Sequence, residues 1–245
     1  MSQNLNRSRY LPRNFEPDCS LEPGSGFWGV LYTRLLKKWG DPFWWPGSDA
    51  WEVAVGAILT QNTNWRNVEK ALANLREKGW TDFQSILDAD QEELAQTIRP
   101  SGYFNIKAKK LKELAALWVS INTLEIIEKL DTTEVRKRLL DVWGIGPETA
   151  DSIALYAFGK PTFVVDAYTI RLVTRMRGLE EKPTYDEIQI EVHNEFKSLN
   201  PPSKTKLFNY LHGLIVVLAK ENCTAKKPLC ESCPLRDLCL FSIGC

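Results

Sequence analysis

Several features are scarce or missing in this sequence. No apolar run reaches the roughly 18 residues that a transmembrane helix needs. The first 15 residues, MSQNLNRSRYLPRNF, lack the apolar segment of a secretory signal. Lysine plus arginine and aspartate plus glutamate balance at 31 each, so the basic excess typical of many nucleic-acid-binding proteins is absent. We therefore expect a cytoplasmic protein without a membrane partner, in which any anionic partner is met by local patches of charge.

The alternation of apolar and polar residues that marks β-strands is missing as well, and no internal repeat is visible. With 245 residues, of which 44% are hydrophobic, the chain can form one large core or two smaller ones. We predict an all-α fold. Its helices, about eleven in number, are expected over residues 26–39, 50–61, 65–79, 82–89, 91–98, 103–121, 133–143, 147–158, 167–177, 184–199 and 204–220.

Two local patterns predict where some of these helices begin and end. Asp131 and Glu134 form a D-x-x-E sequence, which is typical of a capping box at the start of a helix. Pro201 and Pro202 follow the helix expected over 184–199 and are expected to close it.

The stretch from residue 139 to 175 combines two features of chemical interest. Gly144-Ile145-Gly146 is a turn between two predicted helices, where backbone N–H groups and a helix N-terminus can face an anionic oxygen. Asp166 is a lone acid between the apolar run 163–165 and the expected start of a helix. Taken alone, the turn is equally typical of an ordinary helix corner, and Asp166 of a helix N-cap.

Four of the six cysteines lie within one short segment near the end of the chain, in the pattern C-x6-C-x2-C-x5-C. Four thiolates so close together bind either Zn²⁺ or an iron–sulfur cluster. Cys19 and Cys245 stand outside the pattern, and we expect them to be free thiols.

Together these motifs resemble the helix-hairpin-helix and Asp-loop signature of the endonuclease III superfamily of DNA glycosylases. The resemblance is carried by V-W-G-I-G-P-E-T-A-D and then F-V-V-D, whose Asp follows the Glu by 18 residues. AILTQNT, at 57–63, resembles the family segment that intrudes into the duplex. RPSGYFNIKA, at 99–108, resembles its G-x-x-x-x-K-A helix start. The resemblance covers most of the chain and implies removal of a damaged base from double-stranded DNA in base excision repair.

The resemblance assigns roles to individual residues. Asp166 would be the catalytic residue, since a carboxylate can stabilise the positive charge that develops on the sugar, or orient a water. Gln61 would fill the gap left by the flipped base, unless it only caps the end of its helix. The implied DNA contacts are Gln61, Gly144, Gly146, Thr149, Arg171 and Arg175.

The cysteine spacing matches the [4Fe–4S] loop of the family better than the two close pairs of a generic zinc site. The resemblance therefore implies a [4Fe–4S] cofactor. Its expected ligands are Cys223, Cys230, Cys233 and Cys239. Lys226, Lys227 and Arg236 lie within this loop and would turn a basic surface toward DNA phosphates.

Glu148 is the main departure from the family pattern. Many relatives carry a lysine two residues after the second hairpin glycine, where it forms a Schiff base with the sugar and cleaves the strand. A glutamate cannot form an imine, so we expect a monofunctional enzyme that leaves an abasic site. Lys160 and Lys220 are the alternative sources of an amine. A second departure, Trp143 in place of the usual proline, is expected to change packing only.

A pocket for a cationic, alkylated purine is expected to be rich in aromatic faces. Trp-Trp-Pro together with L-T-Q-N-T resembles the 3-methyladenine branch of the superfamily. The predicted pocket residues are Trp44, Trp45, Trp65 and Glu148, although each tryptophan is also a candidate for the core. Gly56 and Ala57 stand where an adenine-mismatch enzyme would carry a glutamate, which argues against that activity.

Basic side chains on several helices are candidates for a DNA face. The set comprises Lys107, Lys109, Lys110, Arg136, Lys137, Arg171, Arg175 and Lys204. The two histidines, His193 and His212, are not spaced for a metal, and we expect a structural role for both.

The predicted architecture has two helical domains that meet at a cleft. One covers residues 50–160 and includes the hairpin; the other joins 1–49 to 161–245. The expected protein is a monomeric, nucleoid-associated glycosylase of bacterial or archaeal type that acts on an alkylated purine such as 3-methyladenine. A bifunctional glycosylase and lyase, a damaged-DNA-binding protein without catalysis, and a redox protein are the alternatives.

Overall fold

The structure is a computed structural model that describes residues 24–45, 47, 49–120 and 124–243. Cys19 and Cys245, the expected free thiols, lie outside these residues. The chain divides into two compact units. The first contains Pro46–Phe158, and the second contains Gly159–Cys245 together with the segment that ends at Trp45. The predicted cleft stays a prediction.

All regular structure in the described residues is helical, which confirms the all-α fold class. No helix within these residues is long and apolar enough to cross a membrane. Short 3-10 turns cover Arg99–Ser101, Cys230–Ser232 and Arg236–Leu238. The α-helices are α1 (Phe27–Trp39), α2 (Ala50–Leu59), α3 (Trp65–Glu77), α4 (Phe83–Asp88), α5 (Gln91–Thr97), α6 (Phe104–Ser120), α7 (Leu124–Lys129), α8 (Thr132–Leu140), α9 (Pro147–Phe158), α10 (Ala167–Met176), α11 (Tyr185–Glu195), α12 (Pro201–Glu221) and α13 (Leu240–Ile243).

Helix α2 lies at the centre of the first unit because it is apolar nearly all round. Every residue from 51 to 59 is buried, and α3, α6 and α9 pack against the helix. Glu52 is the one acid in this stretch, and its carboxylate lies 2.6 Å from the Arg76 guanidinium, which offsets the cost of burying it. Helices α4 and α5 pack on α6, and α8 packs on α9.

In the second unit, α12 packs against α1 and α10 around buried aromatic side chains. The Phe163 ring lies 5.8 Å from that of Trp28 and 5.7 Å from that of Phe208, centroid to centroid. The Phe163 N–H donates to His193 Nε2 at 3.1 Å, and Gln189 Nε2 donates to the Phe163 carbonyl at 2.8 Å. These bonds satisfy the backbone of the buried connection that leads to Asp166.

Two helix boundaries differ from the sequence-based predictions. Pro201 and Pro202 open α12 instead of closing α11, because a first helical turn needs no proline N–H. The capping box at Asp131 forms only in part. Asp131 accepts from the Glu134 N–H at 2.8 Å, but the Glu134 carboxylate accepts from Arg138 instead.

Lys107 was predicted on the exposed face of α6, and that prediction is wrong. The side chain is buried, and its Nζ donates to the Leu59 carbonyl at 2.8 Å and the Ser101 carbonyl at 2.7 Å. Carbonyls at the end of a helix have no partner within it, so Lys107 satisfies the end of α2 and the end of the 3-10 turn Arg99–Ser101. Burial, and then the nearby charge of Lys110, lower the pKa of Lys107 to about 8.

Lys107→Met should lower the free energy of unfolding by about 2 kcal/mol, because two buried carbonyls lose their donor. The protonated lysine is penalised in the folded state below pH 8. That penalty is relieved as the pH rises towards the unfolded pKa of about 10.4, so the deficit of the variant should widen over this range. Urea denaturation at several pH values measures both effects. Lys70→Met, on the exposed side of α3, is the control and should change stability by less than about 0.5 kcal/mol; an equal loss in both variants would contradict the role of Lys107.

Candidate active site

Asp166 is a buried carboxylate at the N-cap of α10. Its Oδ1 accepts from the Thr169 N–H at 2.7 Å and from Thr169 Oγ1 at 2.9 Å. Its Oδ2 lies 3.4 Å from Nε2 of His212, a buried residue of α12. Asp166 therefore does cap α10, which the sequence had left open. The cap uses only Oδ1, so Oδ2 remains available for other chemistry.

The environment of Asp166 keeps its carboxyl group ionised. Burial is the largest influence and by itself raises the pKa. The interactions with His212 and the two hydrogen bonds from Thr169 outweigh burial, so the net effect is a pKa below the ordinary value. The positive end of the α10 dipole favours the same ionised state. A buried group that stays charged at neutral pH is suited to stabilising a cationic sugar.

Trp44 and Trp45 lie in the same unit as Asp166, and the Trp44 ring lies beside His212. The Trp44 and His212 centroids are 6.3 Å apart in an edge-on arrangement, and the two tryptophan rings are 5.7 Å apart. Lys220 Nζ lies 5.3 Å from the centroid of the Trp44 ring. The structure thus brings two of the predicted pocket residues together with a histidine for which the sequence indicated only a structural role.

The hairpin of the first unit uses its two glycines differently. Gly144 has φ of +81°, and an added Cβ would lie 2.6 Å from Cε of Lys110. Gly146 has ordinary backbone geometry and open space around its Cα. Gly144 therefore permits the turn and the passage of a lysine side chain, whereas Gly146 leaves the start of α9 accessible.

A chain of side-chain hydrogen bonds connects three predicted DNA contacts of the first unit. Lys110 Nζ donates to Gln61 Oε1 at 2.6 Å, and Gln61 Nε2 donates to Thr149 Oγ1 at 2.9 Å. Lys110 also crosses Gly144, and burial lowers the pKa of its amine. The alternative in which the Gln61 side chain caps α2 does not occur, since the side chain binds α6 and α9 instead.

The remaining predicted residues of the first unit lie at or near the surface. Glu148 is exposed in the first turn of α9, and Trp65 is half-buried at the start of α3. Trp143, expected to change packing only, is 49% exposed at the hairpin, with Lys109 Nζ 4.1 Å from its ring centroid. The predicted parts of Glu148 and Trp65 in a base pocket stay predictions.

The four cysteines of the C-terminal loop line a single cavity. They form no disulfide, and apolar side chains such as Leu172, Leu235 and Phe241 share the lining. Burial raises the pKa of the Cys233 thiol, and the other three cysteines add to the rise. Thiolates gathered this closely need a bound cation to stay ionised, so the donor set fits an iron–sulfur cluster. When bound, the cluster cross-links the loop through four iron–thiolate bonds. Its candidate ligands are Cys223, Cys230, Cys233 and Cys239.

Arg171 and Arg175, which were predicted to contact DNA, bind the backbone of this loop from α10. Arg171 Nε donates to the Cys223 carbonyl at 3.1 Å. Arg175 donates to the carbonyls of Thr224 and Ala225 at 2.8 and 2.9 Å, and to Cys223 Sγ at 3.3 Å. Both arginines thus satisfy loop carbonyls, and their predicted contacts with DNA stay a prediction.

Two other basic candidates also have partners within their units. Arg136 Nε donates to the fully buried Asp151 at 2.8 Å, so it serves the core as the counter-charge of an acid. Lys204 Nζ donates to the Lys197 carbonyl at 3.1 Å near the start of α12. Lys137 is exposed on α8.

Gly144→Ala is expected to reduce stability, whereas Gly146→Ala is expected to weaken DNA binding. Alanine at 144 is strained by the positive φ and the contact with Lys110, and should cost about 1 to 2 kcal/mol of stability. Alanine at 146 should leave stability within about 0.5 kcal/mol of wild type and weaken binding to undamaged duplex DNA, because its methyl group faces the start of α9. Thermal unfolding and fluorescence anisotropy measure the two effects. Unchanged DNA affinity in Gly146→Ala would contradict the phosphate-binding role of the hairpin.

Arg175→Gln should speed the loss of the cluster when a chelator is added, because three contacts to the loop are removed. The visible absorbance of the cluster and the iron content over time measure this loss. Arg236→Gln is the matched control, since its side chain is exposed in the same loop. Equal lifetimes of the cluster in wild type and Arg175→Gln would show that this arginine does not anchor the loop.

Comparison with known proteins shows the family of the chain. Residues 55–198 match the HhH-GPD superfamily of base excision DNA repair proteins, and residues 223–239 match the iron–sulfur binding domain of endonuclease III. The second match begins at the first cysteine of the loop and ends at the fourth. It confirms the [4Fe–4S] cofactor over the zinc alternative.

Individual relatives cover most of the chain. A putative DNA repair glycosylase of Methanocaldococcus jannaschii is 43% identical over 213 residues, which are 86% of this chain and 94% of that protein. The crystal structure of H. pylori 3-methyladenine DNA glycosylase bound to 1,N6-ethenoadenine aligns with a TM-score of 0.67 at 31% identity, over 79% of this chain and 97% of that one. A thermostable thymine-DNA glycosylase aligns with a TM-score of 0.71 at 25% identity, over 89% of this chain and 97% of that one. The chain therefore belongs to the HhH-GPD superfamily and is a DNA-binding glycosylase of base excision repair with an iron–sulfur loop of the endonuclease III type.

Proposed function

We propose that this protein is a monofunctional glycosylase that hydrolyses the N-glycosidic bond of an alkylated purine, such as 3-methyladenine, in duplex DNA. The observation that carries the proposal is the buried Asp166 carboxylate, which its surroundings keep ionised. A fixed negative charge of this kind is what a cationic sugar requires.

The proposed reaction uses the two carboxylate oxygens for different purposes. The C1′–N bond breaks and its electron pair leaves with the base, while Asp166 stabilises the positive charge that develops on the sugar. A water oxygen then bonds to C1′, and a proton of this water passes to the carboxylate. Oδ1 is held by Thr169 throughout, so Oδ2 is the oxygen that faces the reacting sugar.

The absence of lyase activity rests on Glu148. A lyase needs an amine that attacks the sugar carbon, and a carboxylate at the first turn of α9 cannot form that bond. Lys220, one of the alternative amines, lies on the same unit as Asp166 and points over the Trp44 ring. Lys220 is therefore the residue whose substitution tests the monofunctional proposal.

The choice of an alkylated purine rests on Trp44. Its ring already attracts one cation, Lys220, at 5.3 Å, and the same electrostatic attraction favours a positively charged base over a neutral one. The H. pylori relative, a 3-methyladenine DNA glycosylase, supports the same substrate class.

Asp166→Asn should reduce the single-turnover rate of base release by about 10²- to 10⁴-fold while binding to a duplex with an abasic-site analogue is kept. Loss of activity with retained binding distinguishes a catalyst from a damaged-DNA-binding protein. Base release measured by chromatography on duplexes with methylated purine, hypoxanthine, uracil, oxidised pyrimidine or a thymine mismatch identifies the substrate. Strong release of oxidised pyrimidine or mismatched thymine alone would rule out the alkylpurine proposal.

The lyase alternative has its own test on the same substrates. The wild-type protein should leave alkali-labile abasic sites and give no covalent DNA adduct in the presence of borohydride, since no amine takes part. An adduct that forms in wild type and disappears in Lys220→Met would overturn the monofunctional proposal. It would identify Lys220 as the nucleophile.

A further inference from the structure

His212 lies against the carboxylate on which the proposed chemistry depends, although the sequence offers no motif around it. Both side chains are buried, with His212 at 3% and Asp166 at 8% exposure. The imidazole of His212 faces Oδ2 of Asp166, whereas Oδ1 accepts both hydrogen bonds from Thr169. The imidazole and Thr169 therefore fix the carboxylate from two sides, on two different helices.

We propose that His212 is a positioning residue, which holds the Asp166 carboxylate ionised and oriented towards the cationic sugar. This inference rests on the hydrolytic function proposed above for Asp166. The role acts through Asp166 and requires no contact between His212 and the substrate. Without the imidazole, Oδ2 would stay buried but would lose the polar side chain that faces it from α12. The carboxylate could then rotate about its remaining hydrogen bonds to Thr169.

The direction in which His212 affects Asp166 supports this role. Burial raises the pKa of the Asp166 carboxyl, whereas the His212 imidazole, 3.4 Å from Oδ2, lowers it. Removing the imidazole should therefore let burial prevail and move the titration of Asp166 to higher pH. Other titratable groups along this part of α12 are Tyr210, which donates to Asp41 at 2.6 Å, and Lys220 over Trp44. Helix α13, which also packs on α10, carries no ionisable side chain.

The same turn of α12 also seats Trp44. The His212 ring meets the Trp44 ring edge-on, and the next residue, Gly213, lies so close to Trp44 that an added Cβ would be 2.6 Å from the tryptophan Cβ. A residue that fixes the carboxylate is thus held in place by the tryptophan proposed to attract the base.

His212→Gln tests the proposal, because glutamine keeps an N–H donor and removes the titratable imidazole. We expect single-turnover excision at neutral pH to fall about 10- to 100-fold, while affinity for a duplex with an abasic-site analogue changes less than about two-fold. The acidic limb of the pH–rate profile should move to higher pH. A fall in rate with an unmoved acidic limb, or an unchanged rate, would overturn the proposal.

His193→Gln is the matched control. His193 also serves the segment that leads to Asp166, but it bonds the Phe163 backbone and makes a purely structural contact. Its variant should lower thermal stability and keep the wild-type acidic limb. In the Asp166→Asn background, His212→Gln should add no further loss of rate, because the histidine acts through the aspartate.

An activity-independent measurement separates this inference from the proposed function. Carboxyl-carbon NMR of the cluster-loaded protein, with the Asp166 signal assigned from Asp166→Asn, follows the titration of this group directly. Should wild type release no base from any lesion, the proposed function fails, and the NMR titration still decides the interaction. An upward shift of the Asp166 titration in His212→Gln supports the positioning role, and an unmoved titration overturns it. His212→Asn provides the same comparison if the glutamine variant does not fold.

Discussion

Much of the second unit follows from one constraint, the need to keep a buried carboxylate charged. A carboxylate taken out of water tends to bind a proton unless hydrogen bonds and positive potential replace the lost solvent. Asp166 has three such replacements: the Thr169 N–H in the first turn of α10, the Thr169 hydroxyl and the His212 imidazole. Each depends on a different part of the fold. The first two need only the local start of a helix, whereas the third needs α12 to pack at a fixed register against α10.

That register is stabilised at the other end of α10. The helix carries Asp166 at its N-cap, and Arg171 and Arg175 along the following two turns. These arginines hold the loop that begins where α12 ends. The two helices are thus joined twice, by the carboxylate–imidazole contact near one end and by the arginine–carbonyl bonds near the other. The iron–sulfur loop therefore belongs to the same structural unit as the proposed catalytic carboxylate. The arginine–carbonyl bonds connect this loop to the helix that carries the carboxylate.

The contribution of each residue could be predicted from the sequence only where the interaction is local. Asp166 and the four cysteines were assigned their expected roles through the family resemblance, because the motifs that carry it are short and contiguous in the sequence. The role proposed for His212 could not be predicted, since its partner lies 46 residues earlier and a lone histidine on an apolar helix does not indicate a contact with a distant acid. Lys107 was misplaced for a related reason. A lysine beside other lysines on a helix is usually solvated, and only the tertiary position of the α2 end turns it inward. The prolines at 201 and 202 were misread because proline after one helix is equally suited to the first turn of the next.

In the first unit, the same electrostatic reasoning explains how an acid is tolerated at the hairpin. Glu148 lies in the first turn of α9, where a negative side chain is stabilised by the helix dipole, and a lysine would be disfavoured. The carboxylate nevertheless adds negative charge to a turn that is proposed to bind phosphate. Lys110 crosses Gly144, and Lys109 lies over Trp143, so two positive charges adjoin the hairpin from α6. In the proposed monofunctional reaction, Glu148 lacks the amine that a lyase needs, and the two lysines of α6 supply positive charge beside the hairpin that is proposed to bind the DNA backbone.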